Sequence, residues 1–378
     1  MKTPNNTKLN YKIRHLFLTD GLTHRLSRKR KLTDIALCII SRRYKIVITL
    51  FFLCSSIALT AQDVMFSQFY NTPVLVNPAQ TGFFEGTARA GITYRNQWAA
   101  VMTNPYETFA IELEAKVKKA TEKTGPLSVG ITVMRDRAGA SQFSISHGML
   151  SIGYMQQLDR RNFLGAGIQG GYGQYTIDYA NLFWGSQYNP QSNTFDASLN
   201  SNETHIYSKY NHYKVSGGLL YSYNSVDYDR ATNKGYMIYA GGSYMQNFIP
   251  ESSFYENAGA DNNSAYVFHG GAQIAAPQYN ISIIPHIIFA SQDKFNQFVF
   301  GSTFRYKAQN DATAFNMGLY YRLNDALIPC VGFEFNALYL GIAYDANVSE
   351  LGKQTKQTSG LEFNLVYTLN PFTKKSFE

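Results

Sequence analysis

The sequence predicts an all-β fold: a transmembrane, antiparallel, up-and-down β-barrel of about 14 strands, within a range of roughly 12 to 16. Three observations carry this expectation. From Gly86 to Leu369 the chain is a run of short segments in which apolar or aromatic residues alternate with polar ones, separated by turn residues. In the last segment Leu361, Phe363, Leu365 and Tyr367 share one face of an extended strand, and Glu362, Asn364, Val366 and Thr368 share the other. Charges keep to one face as well. Glu112, Glu114 and Lys116 oppose Phe109, Ile111, Leu113, Ala115 and Val117, which is costly toward lipid and comfortable toward a wet lumen. Aromatic residues make up 15% of the chain, with 28 Tyr and 26 Phe against 2 Trp, enough for girdles at both membrane interfaces. Only a closed barrel satisfies the backbone of such strands in lipid.

The first element along the chain is a leader. Residues 1–61 hold 12 of the 34 Lys/Arg and 2 of the 26 acids, which leaves 22 basic and 24 acidic residues from Gln62 onward. The formal charge of +8 therefore belongs to the leader, and a nucleic-acid partner is excluded. Arg42, Arg43 and Lys45 precede the apolar run 46–61, the layout of a secretory signal peptide (core 42–61) cleaved after Ala61. The run is shorter than the roughly 20 apolar residues that a spanning helix needs. Cys330 is then the only cysteine of the exported chain, so no disulfide framework is expected.

Residues 62–85 form an N-terminal segment. Its Phe66, Phe69, Tyr70, Val74, Leu75 and Val76 are too apolar to trail in water, and Pro73 and Pro78 prevent a helix. The segment either plugs the lumen or runs along the inner or periplasmic surface of the barrel, which occupies 86–378. Strands are expected near 87–97, 106–117, 127–137, 143–156, 163–175, 212–223, 235–246, 265–276, 279–289, 296–307, 313–322, 326–335, 337–346 and 359–369. Pro285 and Pro329 mark the weakest assignments.

If the first strand starts on the periplasmic side, loops after odd-numbered strands face outward and should be the longer ones. The stretches Thr176 to Asn211, Asn247 to Ser264 and Asn347 to Thr358 fall on that side. Asn224 to Lys234 is the exception, long for a periplasmic turn. The outer loops offer Trp184, Tyr188, Phe195, Phe248, Phe254 and Tyr255 as candidate partner-binding anchors. In the fifth strand Gly165, Gly167, Gly170, Gly171 and Gly173 lack the helix and βαβ setting of a phosphate-cradling loop; they are expected to make room in a crowded lumen or to permit bending. No metal or cofactor is expected: His147, His205, His212, His269 and His286 show no metal-ligand spacing, and His147 and His286 are expected to hydrogen-bond in the lumen. Glu112 and Glu114 form a charge network with Lys116 and with Arg89 or Arg95 rather than an acid/base pair, so no enzymatic activity is expected.

Three motifs carry a family resemblance: Phe66-Ser67-Gln68-Phe69-Tyr70, Asn77-Pro78-Ala79 and Tyr94-Arg95-Asn96-Gln97-Trp98. With the closing stretches Ala343 to Ser349, Leu351 and Gly360 to Tyr367, the mature chain resembles the PorP/SprF-like outer-membrane proteins of the type IX secretion system and gliding machinery of the Bacteroidetes. Asn96 stands where that family usually has Asp. The resemblance implies an integral outer-membrane protein that binds or retains an exported surface protein or adhesin through its C-terminal sorting domain and supports its export, with other type IX or gliding components as further partners. A passive, porin-like diffusion channel is the competing expectation, and an open or plugged lumen separates the two.

Overall fold

Fourteen strands close on themselves in the computed structural model, which describes residues 65–118, 125–180, 182–196, 198–202, 207–230, 233–250, 254, 261–292, 295–308, 312–349 and 358–369. The leader, Gln62 to Val64, Tyr255 and Leu351 lie outside the described residues. In chain order the strands are β1 (Ala88–Gln97), β2 (Tyr106–Lys118), β3 (Leu127–Ala138), β4 (Phe143–Gln157), β5 (Asn162–Thr176), β6 (Tyr188–Asn189), β7 (Thr194–Phe195), β8 (Lys209–Asn224), β9 (Tyr236–Ile249), β10 (Asp261–Ala276), β11 (Ile281–Gln292), β12 (Phe295–Lys307), β13 (Thr313–Arg322), β14 (Ala326–Phe335), β15 (Leu338–Asn347) and β16 (Thr358–Leu369). All but β6 and β7 belong to the barrel, each pairs antiparallel with its neighbour, and β1 pairs with β16 to close it. No described helix is long and apolar enough to cross a membrane; the strands do so instead.

Alternation decides which side each residue faces. On β16 Leu361, Phe363, Leu365 and Tyr367 are 38–48% exposed on the outside, while Glu362 and Asn364 are buried inside. The outer face is thus a continuous apolar belt and the inner face is wet, the arrangement a membrane requires. Pro285 and Pro329 sit inside β11 and β14 and interrupt one ladder each. Pro285 keeps its place opposite Ser302 of β12, but the register with β10 is broken between His286 and Ile283. Pro329 faces Leu319 of β13, while the ladder to β15 skips from Leu327 to Cys330. A proline lacks one donor, so it costs the ladder on the side where that donor would point.

The connections after β1, β3, β5, β9, β11, β13 and β15 gather at one end, here called the long-loop end, and the others at the short-turn end. In the link after β8, at the short-turn end, the described residues Arg230 and Asn233 turn inward. Asn233 is buried and donates from Nδ2 to the Ile281 carbonyl (3.1 Å), Ser282 donates to Asn233 Oδ1, and Arg230 reaches Glu334 (3.5 Å). The hairpin β6–β7 within the long link 177–208 escaped the sequence reading, because strands of two residues show no alternation.

Candidate functional site

The lumen is occupied by the chain's own residues 65–85. Two short turns, Phe69–Asn71 and Pro78–Gln80, flank one helical turn, Pro73–Val76; Pro73 and Pro78, expected to prevent a helix, instead start the turns they belong to, where the missing N–H has no bond to lose. Hydrogen bonds from this plug reach β1, β2, β4, β8, β9, β10, β13, β15 and β16, so it touches most of the circumference.

At the long-loop end an ionic cluster holds its start. The backbone N–H groups of Ser67 and Gln68 donate to Glu362 Oε2 (2.7 Å) and Oε1 (2.8 Å). Ser67 Oγ donates to Asp345 Oδ1 (2.6 Å) and accepts from Arg322 (2.8 Å). Arg95 spans Asp345 (2.7 Å) and the Met65 carbonyl (2.7 Å). Glu362, Asp345, Arg95 and Arg322 are all buried, and breaking such a paired, hydrogen-bonded set by removing one member costs about 3–5 kcal/mol. Further in, Tyr70 stacks on His286 at 4.7 Å between ring centres and on Tyr320 at 5.4 Å, and His286 Nδ1 pairs with the Tyr320 hydroxyl at 2.9 Å. Burial, with Tyr320 and Tyr339 nearby, pushes the Tyr70 hydroxyl well above its ordinary pKa, so it remains a neutral phenol.

The plug's second half is seated differently. Asn77 is fully buried. Its Oδ1 caps the next turn by accepting from Ala79 N–H (2.8 Å), while Nδ2 lies within reach of the Leu219 and Gly242 carbonyls (3.0 and 3.3 Å) and of His269 Nε2 (3.0 Å). Below it the plug packs directly against strand glycines. A Cβ on Gly167 would stand 2.2 Å from the Pro78 carbonyl oxygen, one on Gly218 2.0 Å from Asn77 Oδ1, and one on Gly153 2.6 Å from the Thr81 carbonyl oxygen. Glycine is required here by close approach rather than by conformation. Of the other β5 glycines, Gly165 also faces the plug, Gly171 and Gly173 make room for neighbouring strands, and Gly170 has open space. Gly82 N–H then donates to Glu114 Oε2 (2.8 Å), Leu75 N–H to Glu112 Oε1 (2.9 Å), and Lys116 to the Phe84 carbonyl.

Glu112 and Glu114 do form a charge network, with Arg89 at 3.2 and 2.8 Å, while Arg95 belongs to the cluster around Asp345. What residue-type reasoning missed is that three lumen carboxylates, Glu112, Glu114 and Glu362, accept backbone N–H groups of the plug. The only available signal was an acid on the wet beat of a strand.

At the long-loop end the candidate anchors divide. Tyr188 and Phe195 face each other across β6–β7 and are 47% and 39% exposed, and Phe183, 76% exposed, packs edge-on against Phe195 at 4.6 Å. Trp184 is half-buried beside them. Phe254 folds onto the rim against Phe143, Tyr179 and Tyr210. Phe248 is not a loop residue: β9 runs on to Ile249, and alternation turns Phe248 to the outer face. Between the plug's first half and β9–β12 lies a cavity of about 90 Å³. Leu75, Val76, Val267 and Ile288 make its apolar wall.

All three sequence motifs converge on this arrangement. Phe66 to Tyr70 and Asn77 to Ala79 are the plug, and Arg95 is its anchor, whereas Asn96 lies apart, donating to the Tyr94 hydroxyl (3.3 Å) next to Glu107. The family model of the type IX secretion system membrane protein PorP/SprF matches residues 58–367. The chain belongs to this family. As a PorP/SprF member it is a membrane β-barrel associated with type IX secretion. No curated relative matches it. Similar solved structures are the toluene transporter TbuX of Ralstonia pickettii (10% identity, 78% of this chain, 92% of that one, TM-score 0.42), the toluene transporter TodX of P. putida (12%, 78%, 92%, 0.42) and CdiB of Acinetobacter baumannii (8%, 74%, 60%, 0.39). At that distance nothing about ligand or cargo passes from them to this PorP/SprF chain.

Proposed function

We propose that the protein is a non-enzymatic docking barrel of the outer membrane. It binds or retains an exported surface protein or adhesin through that protein's C-terminal sorting domain, and it supports its export. The observation that carries this reading is the filled lumen. With residues 65–85 anchored inside and Arg230 and Asn233 turned inward at the short-turn end, the barrel offers a partner a rim rather than a passage, which weighs against the passive channel. The lumen carboxylates that an enzyme would use as acid and base are engaged by plug N–H groups and arginines.

On this reading β1 starts at the periplasm and the long-loop end faces outward, where Phe183, Tyr188 and Phe195 form an exposed aromatic group of the kind that anchors protein interfaces. Isolation of the protein from its native outer membrane tests the proposal. A large exported protein with a sorting domain is expected to accompany it, and a preparation free of any secreted or type IX component would overturn the reading.

A further inference from the structure

We propose that the cavity beside the plug's first half is a receptor for one apolar side chain, of about leucine size, carried by a polypeptide that enters from the long-loop end. The inference rests on the docking reading above and says where inside the barrel the partner is read.

The polar inner beat of the barrel is broken beside the plug's first half. Toward the long-loop end, β1, β15 and β16 present Arg95, Asp345 and Glu362 to the lumen, whereas β10 and β11 present Ala265, Val267, Ile288 and Ala290 at the cavity. The plug completes the wall with Met65, Leu75 and Val76, so the cavity exists only with the plug seated. An uncharged wall of this kind admits no ionised group.

Size narrows the guest. An engineered aliphatic cavity of about 150 Å³ takes up benzene; one of about 90 Å³ suits a branched aliphatic group and is far too small for a lipid tail. Met65 and Met245 both line it, and their flexible thioethers allow some adjustment around the guest. Two glutamines identify what carries that group. Gln292, the last residue of β11, and Gln297, near the start of β12, are polar lining residues at the long-loop ends of their strands. Side-chain amides there match the N–H and C=O groups of a peptide backbone, for which a free hydrocarbon has no use.

The test uses the full-length barrel in lipid nanodiscs with ¹³C-labelled methionine methyl groups. N-acetyl-leucine amide is expected to shift the Met65 and Met245 signals saturably, and N-acetyl-alanine amide to bind about tenfold or more weakly, because its smaller group buries less apolar surface. Ala290→Leu fills the cavity and should abolish the shift while the other methionine signals stay in place; Ala265→Leu repeats the test from the neighbouring strand. An absent or unsaturable shift, a shift that survives both substitutions, or one given by benzene and not by the leucine amide would overturn the proposal. A second arm captures the exported partner on wild-type and Ala290→Leu barrels. A fall of about tenfold or more in the variant supports the cavity as a partner site. Equal capture overturns the cavity and leaves docking intact, and capture by neither overturns docking itself, with the methyl shifts then deciding the cavity alone.

Discussion

Ser67, near the start of the plug, is held by two carboxylates and an arginine, whereas Pro78, further along, rests on a bare strand backbone. The first half, 65–76, is anchored by long, charged side chains from β1, β13, β15 and β16 and by stacked aromatics, and it borders a cavity. The second half, 77–85, keeps charged contacts only at Gly82 and Phe84, and its stretch from Asn77 to Thr81 is fitted into space that exists only because Gly153, Gly167 and Gly218 lack side chains. Charged anchors are strong but separable, since every member can find water once the segment lifts. Steric seating offers no such alternative. The first half is therefore the part able to move as a unit, and the second half is in effect an extra layer of the barrel wall.

The sharpest way to break this comparison is to remove one anchor. Glu362→Ala should leave the Ser67 and Gln68 N–H groups without their carboxylate and take one charge out of the buried cluster, at about 3–5 kcal/mol. Amide exchange at Ser67 and Gln68 should then rise by two orders of magnitude or more while exchange at Ala79 and Gly82 stays put. Equal loosening of both halves would mean that the plug is one unit.

Gly167→Val attacks the other half and should cost up to about 3 kcal/mol through overpacking. Protease cutting near Pro78 is expected to appear with the Arg95–Asp345 pair intact, as read from the Ser67 amide. Asn77→Ala removes the cap and the amide bridge to β8 and β9 and should lower stability by about 1–3 kcal/mol, measured as the denaturant midpoint of refolding into lipid. Tyr70→Phe keeps the stacking on His286 and loses hydroxyl contacts with Cys330 (3.6 Å) and Tyr320, so it should cost about 1 kcal/mol. Smallest in stability is Phe183→Ser, within about 0.5 kcal/mol for an exposed loop position. In partner capture it should rank among the largest, which separates the rim from the plug.

How much of this was readable beforehand follows from the same contrast. Alternation located every barrel strand to within a few residues and assigned Leu361, Phe363 and Leu365 outward, because the two faces of a membrane strand differ so strongly in chemistry. The glycines of β5 announced crowding in the lumen, though not what crowded it. The grip of Glu362 on two backbone N–H groups left no trace in residue type, since the acceptor is a side chain and the donors belong to every residue alike. The inward turn of Arg230 and Asn233 was hidden for a similar reason. Buried Asn233 is an ordinary turn residue until a strand end supplies its partners. Phe248 was misplaced by a strand that continues three residues past its last clear alternation.

The lumen is filled by the protein's own segment. Planar-bilayer recording of the full-length barrel tests it most directly. Wild-type protein should be electrically silent, with discrete openings in Glu362→Ala and a steady conductance when residues 65–85 are deleted. A full-length barrel that conducts steadily, at the level of the deletion, would contradict it.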